Sequence, residues 1–141
     1  MSWANQYMGI PFKERGLTRD GADCWGLVRM IMLEQKGIEL PDYGEIAPNA
    51  SMDKVEEIEA AIQGTTWTQI PTGQEKKLDC VLMKGIIKVD GKTHSRPIHI
   101  GVVVKPGTLI HLEIEGEVTI VDYRNHHRIK NRVVGFYRAG E

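Results

Sequence analysis

The chain predicts an α+β domain in which N-terminal helices pack on one antiparallel sheet of about five to six strands. Three observations predict it. Helical periodicity is confined to the first half of the 141 residues. Short apolar alternating runs fill the second half. Those runs are separated by brief turn signals, as adjacent antiparallel strands require.

The elements follow in order. The first eight residues form a short helix that packs Trp3 and Tyr7. A turn-rich stretch with Gly9, Pro11, Gly16 and Gly21 leads into a buried amphipathic helix from Cys24 to Lys36. Asp23 is its N-cap and Gly37 its stop. Pro41 to Ala50 reads as loop, and Ser51 to Gln63 as a second helix, capped by Ser51 and ended by Gly64. Strands are expected at Thr65–Ile70, Asp79–Val89, Ile98–Val104, Leu109–Ile114, Val118–Asp122 and Val133–Tyr137. Asp90-Gly91 is a hairpin turn, because both positions tolerate positive φ.

Composition narrows the function. The length fits one domain, residues 1–141. Eighteen basic against nineteen acidic side chains give a net charge of −1. That balance argues against broad binding to nucleic acid or an anionic membrane. No apolar run is long enough to span a bilayer. The first residues lack the basic start and apolar core of a signal peptide, so synthesis in a cytoplasm without export by that route is expected. Only Cys24 and Cys80 are available for thiol chemistry. In a reducing compartment they stay unpaired, and they are too few for a cysteine zinc cage. No metal or other cofactor is expected.

Cys24 opens a helix, where unpaired N–H groups and the helix dipole favour an anion. A thiol there is shifted toward its reactive thiolate. The plainer reading of Cys24 alone is a small core residue. His99 starts an apolar strand and shares a face with Gly101 and Val103. Such a histidine is more often structural, yet a strand start is a rigid mount for a base. If the strands around His99 and His111 pair through the Pro106-Gly107 turn, the two imidazoles lie side by side, base and orienter. Thiol, base and orienter then come in the chain order seen in papain-like enzymes. Arg124 to Arg132 is a basic stretch that reads as a solvated loop, or as a contact for an acidic partner. His126 and His127 are adjacent and would face opposite ways on a strand, which argues against a shared metal. Cys80 reads as structural.

Several segments resemble the NlpC-type cell-wall cysteine peptidases. Gly9-Ile10-Pro11-Phe12 followed by Asp23-Cys24-Trp25-Gly26-Leu27-Val28 resembles their nucleophile region. Leu78-Asp79-Cys80-Val81 is similar to their Gly-Asp-Leu-Val strand, with Leu78 in place of the glycine. His99-Ile100-Gly101-Val102-Val103 resembles the base motif, and Leu109-Ile110-His111 the segment carrying the third polar residue. Val134-Gly135-Phe136-Tyr137-Arg138 at the end resembles the tail-tip branch found in tailed phages.

The resemblance implies a papain-like fold and cleavage of peptidoglycan stem peptides. Cys24 would attack, His99 would carry the proton, and His111 would orient His99. The Cys24 N–H would be an oxyanion donor. Tyr7, Asp23 and Trp25 would line the substrate site, Trp25 replacing the serine usual in cell-wall relatives. The same resemblance implies a virion tail tip as the location, other tail-tip or hub proteins as partners, and local opening of the wall for DNA entry. The alternative is a structural tail component with little hydrolytic activity. An acyltransferase using the same thiol ester is a weaker third reading.

Overall fold

The computed structural model describes residues 3–41, 67–113 and 116–140, with the side chains of 86–89 and 94–98 excepted. The expected helix at Ser51–Gln63 lies outside the described residues. A 3₁₀ helix, Trp3–Tyr7, opens the structure. It packs the Trp3 and Tyr7 rings edge to face with centroids 6.2 Å apart, as expected of these two side chains. A small hairpin follows, β1 (Leu17–Thr18) with β2 (Gly21–Ala22), which the turn signals alone do not reveal.

Helix α1 runs Cys24–Ile31 and continues as one wider π turn, Met32–Lys36. Asp23 is the N-cap, accepting the Gly26 N–H at 2.8 Å. Gly37 ends the helix with φ +68°, a left-handed conformation natural to glycine. Gly26 sits so close to Gly16 that a Cβ would lie 2.0 Å from the Gly16 carbonyl oxygen. The glycine after the cysteine motif thus lets the approach loop press on the helix start.

The sheet contains β3 (Trp67–Ile70), β4 (Cys80–Val89), β5 (Lys92–Lys105), β6 (Thr108–His111), β7 (Thr119–Asp122) and β8 (Val133–Ala139). Their order is β3-β8-β4-β5-β6-β7, antiparallel throughout. The six strands match the expected number. The longest departure is β5, which begins at Lys92 and not at Ile98. Asp90 (φ +53°) and Gly91 (φ +76°) make the tight turn that carries β4 directly into it, so pairing starts at Val89↔Lys92.

Two core layers flank the sheet. In the first, Trp25, Leu27, Val28 and Ile31 of α1 pack with Cys80, Ile100, Val102 and Ile110. In the second, Val81, Met83, Val103 and Leu109 meet Tyr123, Ile129 and Phe136. Each such fully buried aliphatic side chain contributes about 1.5–3 kcal/mol. Ile129 comes from a single helical turn, α2 (His127–Lys130), in the stretch expected to be a solvated loop. That expectation is corrected because one apolar residue among the cations anchors the turn to the sheet.

Asp79 and Arg138 tie β4 to β8. The Arg138 guanidinium donates from two nitrogens to the two Asp79 carboxylate oxygens, at 2.7 and 2.8 Å, with Asp79 buried. Immediately before Asp79, Leu78 has φ +71°. This is where the resembling sequences carry glycine, and a leucine there costs about 1–2 kcal/mol.

Candidate active site

The register of β5 and β6 assembles the imidazoles. Val102 pairs with Ile110 and Val103 with Leu109, which brings His111 across from Gly101. His99 is then the diagonal neighbour of His111 on the same face. The His99 Nε2 and His111 Nδ1 atoms are 2.9 Å apart, one ring donating and the other accepting, with the rings edge to face. The sequence expectation of two imidazoles side by side across the Pro106-Gly107 turn describes this pair.

Gly101 makes the approach possible. A Cβ at Gly101 would lie 2.8 Å from the Ile110 carbonyl oxygen and 3.2 Å from His111 Cβ. Any larger residue would displace the strand or the imidazole.

Both rings are buried, His99 at 7% exposure and His111 at 3%. Burial pushes the His99 pKa well below the ordinary imidazole value, and the His111 and Arg132 charges push the same way. Burial also lowers His111; Glu113 opposes that shift and Arg132 adds to it. The pair is therefore neutral near pH 7. When His99 Nε2 donates in this bond, His99 Nδ1 is the ring nitrogen able to take a proton.

Cys24 is the first residue of α1 and is 5% exposed. The Asp23 cap takes up the Gly26 N–H through its side chain and the Leu27 N–H through its carbonyl, which fixes the helix start that carries Cys24. Helix α1 packs on β5, the strand that carries His99, and Cys24 shares the first core layer with Ile100 and Val102. Side chains alternate along a strand, so His99 and Gly101 share a face, on which Gly101 approaches His111 and Leu109. The structure thus brings the imidazoles together and brings Cys24 to their strand. The register alone does not join sulfur to imidazole.

The three residues expected to hold substrate are all buried. Trp25 is fully buried, with its indole N–H donating to the Pro41 carbonyl at 2.9 Å. It is a core anchor and presents no wall to a substrate, because a helix position next to Cys24 points into the packing layer. Tyr7 is buried as well. Its hydroxyl donates to Glu34 at 2.6 Å and accepts from Gln35, while Arg19 lies over its ring. Glu34 is ten residues beyond Cys24, roughly 15 Å along a helix axis, so Tyr7 braces the far end of the helix. Asp23 is 1% exposed and caps the helix through Oδ1.

Two residues beside the imidazoles had no site role in the sequence reading, where Arg132 is only the end of the basic stretch. Glu113 follows His111 by two positions, and its carboxylate lies within 4.8 Å of the imidazole nitrogens. Arg132 forms an ion pair with Glu113 and donates to the Lys84 carbonyl. The two-residue spacing of Glu113 was the available signal. Nothing local announces Arg132, which arrives from the far end of the chain.

A cavity of about 490 Å³ lies apart from Cys24, lined by Glu75, Tyr123, Arg124, Val133 and Phe136. Its polar groups satisfy one another. Tyr123 donates to Glu75 at 2.5 Å, and Glu75 accepts from the Gly73 N–H at 2.7 Å. Burial and the carboxylate push the Tyr123 hydroxyl up to about 12. This network fastens the 72–75 turn to β7.

Solved structures that share this fold include three of the NlpC/P60 kind. The NlpC/P60 domain of the peptidoglycan hydrolase SagA is 19% identical, with a TM-score of 0.59, over 97% of this chain and 92% of that one. A protein similar to a lipoprotein, of the NLP/P60 family, from Staphylococcus aureus is 16% identical with a TM-score of 0.62, over 98% of this chain and 39% of that one. An NlpC/P60 family protein from Bacillus cereus is 20% identical with a TM-score of 0.61, over 96% of this chain and 37% of that one. The chain thus spans well under half the length of the latter two. No curated protein matches it in sequence. The family model described as NlpC/P60 matches residues 9–138, which include the cysteine motif and both histidines. The chain therefore belongs to the NlpC/P60 family, a family of cysteine-type peptidoglycan hydrolases.

Proposed function

We propose that this protein cleaves peptidoglycan stem peptides with the Cys24 thiol, and does so at the tail tip of a phage or phage-derived particle. The observation that carries the hydrolase reading is the buried His99–His111 hydrogen bond at 2.9 Å, at strand positions that match the family's base motif. His99 Nδ1 takes the thiol proton, and the thiolate attacks the stem-peptide carbonyl. The Cys24 N–H and its neighbours at the helix start stabilise the oxyanion. His99 then protonates the leaving amine, and water releases the acyl-enzyme. His111 holds the His99 ring in the required tautomer. The tail-tip location, with tail-hub proteins as partners, rests on the resemblance of the Gly9–Phe12, Asp23–Val28 and Val134–Arg138 segments to that branch.

The test is digestion of purified peptidoglycan with detection of soluble stem fragments by mass spectrometry. Release by the native chain and none by Cys24→Ala supports the reading. A second reading, a structural tail component with little hydrolysis, is favoured by one feature: Tyr7 and Trp25, expected at the substrate site, are both fully buried. No cleavage of any stem peptide by the folded native chain, alone or in its particle, selects that second reading.

A further inference from the structure

We propose that His99, His111 and Glu113 form a binding site for a zinc-like divalent cation, and that its occupancy switches the thiol chemistry off. The inference about inhibition rests on the hydrolase reading; the binding site itself does not.

The donor set is two imidazoles and one carboxylate, which suits zinc and its neighbours and not calcium or magnesium. One ligand atom from each residue lies within 4.8 Å of the others, so a single ion can reach all three. The two facing nitrogens are 2.9 Å apart. Two nitrogens at about 2.05 Å from a tetrahedral ion stand roughly 3.3 Å apart, so the pair opens by only a few tenths of an ångström. The imidazoles are held on paired strands, hence preorganised. Glu113 is the door: its side chain is 47% exposed, while the rings behind it are buried. Arg132 binds Glu113 Oε1 and leaves the second carboxylate oxygen for the ion, a familiar way of orienting a metal ligand.

The proton balance explains the inhibition. In the working pair one proton is shared between His99 Nε2 and His111 Nδ1. An ion bound to both nitrogens displaces that proton, which moves to the other nitrogen of the same ring, so that both rings stay neutral. His99 can no longer hand a proton along the pair. Where its Nδ1 carries the displaced proton, it has no lone pair for the Cys24 thiol. No redox change is involved.

The experiment titrates the metal-free full chain with Co²⁺, read by visible d–d absorption, and with Zn²⁺, read by calorimetry. One ion per chain with tetrahedral Co²⁺ absorption is expected. Glu113→Gln, at an exposed position, weakens Zn²⁺ binding by about tenfold or more, and His111→Gln by more than that. Cys24→Ala and the His126→Ala, His127→Ala double variant keep the absorption. Absence of binding overturns the proposal. So does binding that survives Glu113→Gln and His111→Gln, or that disappears with Cys24→Ala, which would put the ion on the thiol. Zn²⁺ loss of hydrolysis is measured separately. A chain that binds Zn²⁺ as described but never cleaves a stem peptide overturns the hydrolase reading and leaves the site standing.

Discussion

The two cysteines are the same chemical group placed in two regions that treat it oppositely. Cys80 begins β4, is 1% exposed and faces the apolar layer under α1. Burial pushes its thiol up to about 12, with Lys36 opposing and Asp79 reinforcing the shift. At neutral pH it is a small apolar side chain. Cys24 occupies a helix start, with capped N–H groups around it and α1 packed on the strand of the imidazole pair. The difference teaches that reactivity here belongs to position in the fold. A free thiolate needs helix N–H groups and a base within reach, and a strand interior supplies neither.

The largest expected effect breaks the comparison outright. Cys24→Ala lowers stem-peptide release by about a thousandfold or more, whereas Cys80→Ala leaves turnover per folded molecule within about threefold. Mass spectrometry of digested wall reads both. Equal losses from the two substitutions would mean that the thiols do not differ as argued.

Alkylation sharpens the same contrast. Iodoacetamide labels Cys24 in the native protein and reaches Cys80 only on unfolding. Replacing His99 by Gln moves the pH of half-maximal Cys24 labelling upward, because the thiol loses the base that takes its proton. A labelling curve unmoved by that change would show that sulfur and imidazole do not meet.

The imidazoles predict a stability trend with pH. His99 and His111 have native pKa values below the ordinary value of 6.5, so the unfolded chain binds their protons more readily. Their neutral burial is fully tolerated above about pH 6.5 and stability falls as pH drops below it. Thermal melts between about pH 5 and 7 should show this slope, and it should flatten in His99→Gln.

Cys80→Ser should cost about 1–3 kcal/mol, since a hydroxyl in that apolar layer asks for a hydrogen bond the thiol does not need. Urea melts measure it. The smallest effect is at Leu78. Relief of its left-handed backbone offsets the lost side-chain packing, so Leu78→Gly should change stability by less than about 1 kcal/mol. A loss of several kcal/mol there would show that the φ of +71° carries no strain.

Much of the fold was legible. Alternation located six strands within a few residues, Asp90-Gly91 marked its hairpin, and Asp23 and Gly37 bracketed α1 as expected. The start of β5 was missed because Arg96-Pro97 reads as a break, while pairing with β4 carries the strand through it. Within the site, the His99–His111 contact was legible since one short turn fixes the register between them. Tyr7 and Trp25 were misplaced for a different reason. The face that a large aromatic presents is decided by what its own helix packs on, and both turn into the core.

The chain alone determined what depends on neighbours in sequence: helix caps, turn positions, the strand periodicity and the twelve-residue loop of strand that joins two histidines. Only the tertiary structure decided which face each residue meets, that Arg132 and Glu113 close on the imidazole pair, and that one thiol is sealed while the other stands at a helix tip. Local signals act through hydrogen bonds a few residues apart. Face, burial and charge environment are set by segments tens of residues away, roughly twenty to thirty for Arg132 and the imidazoles, which no local pattern encodes.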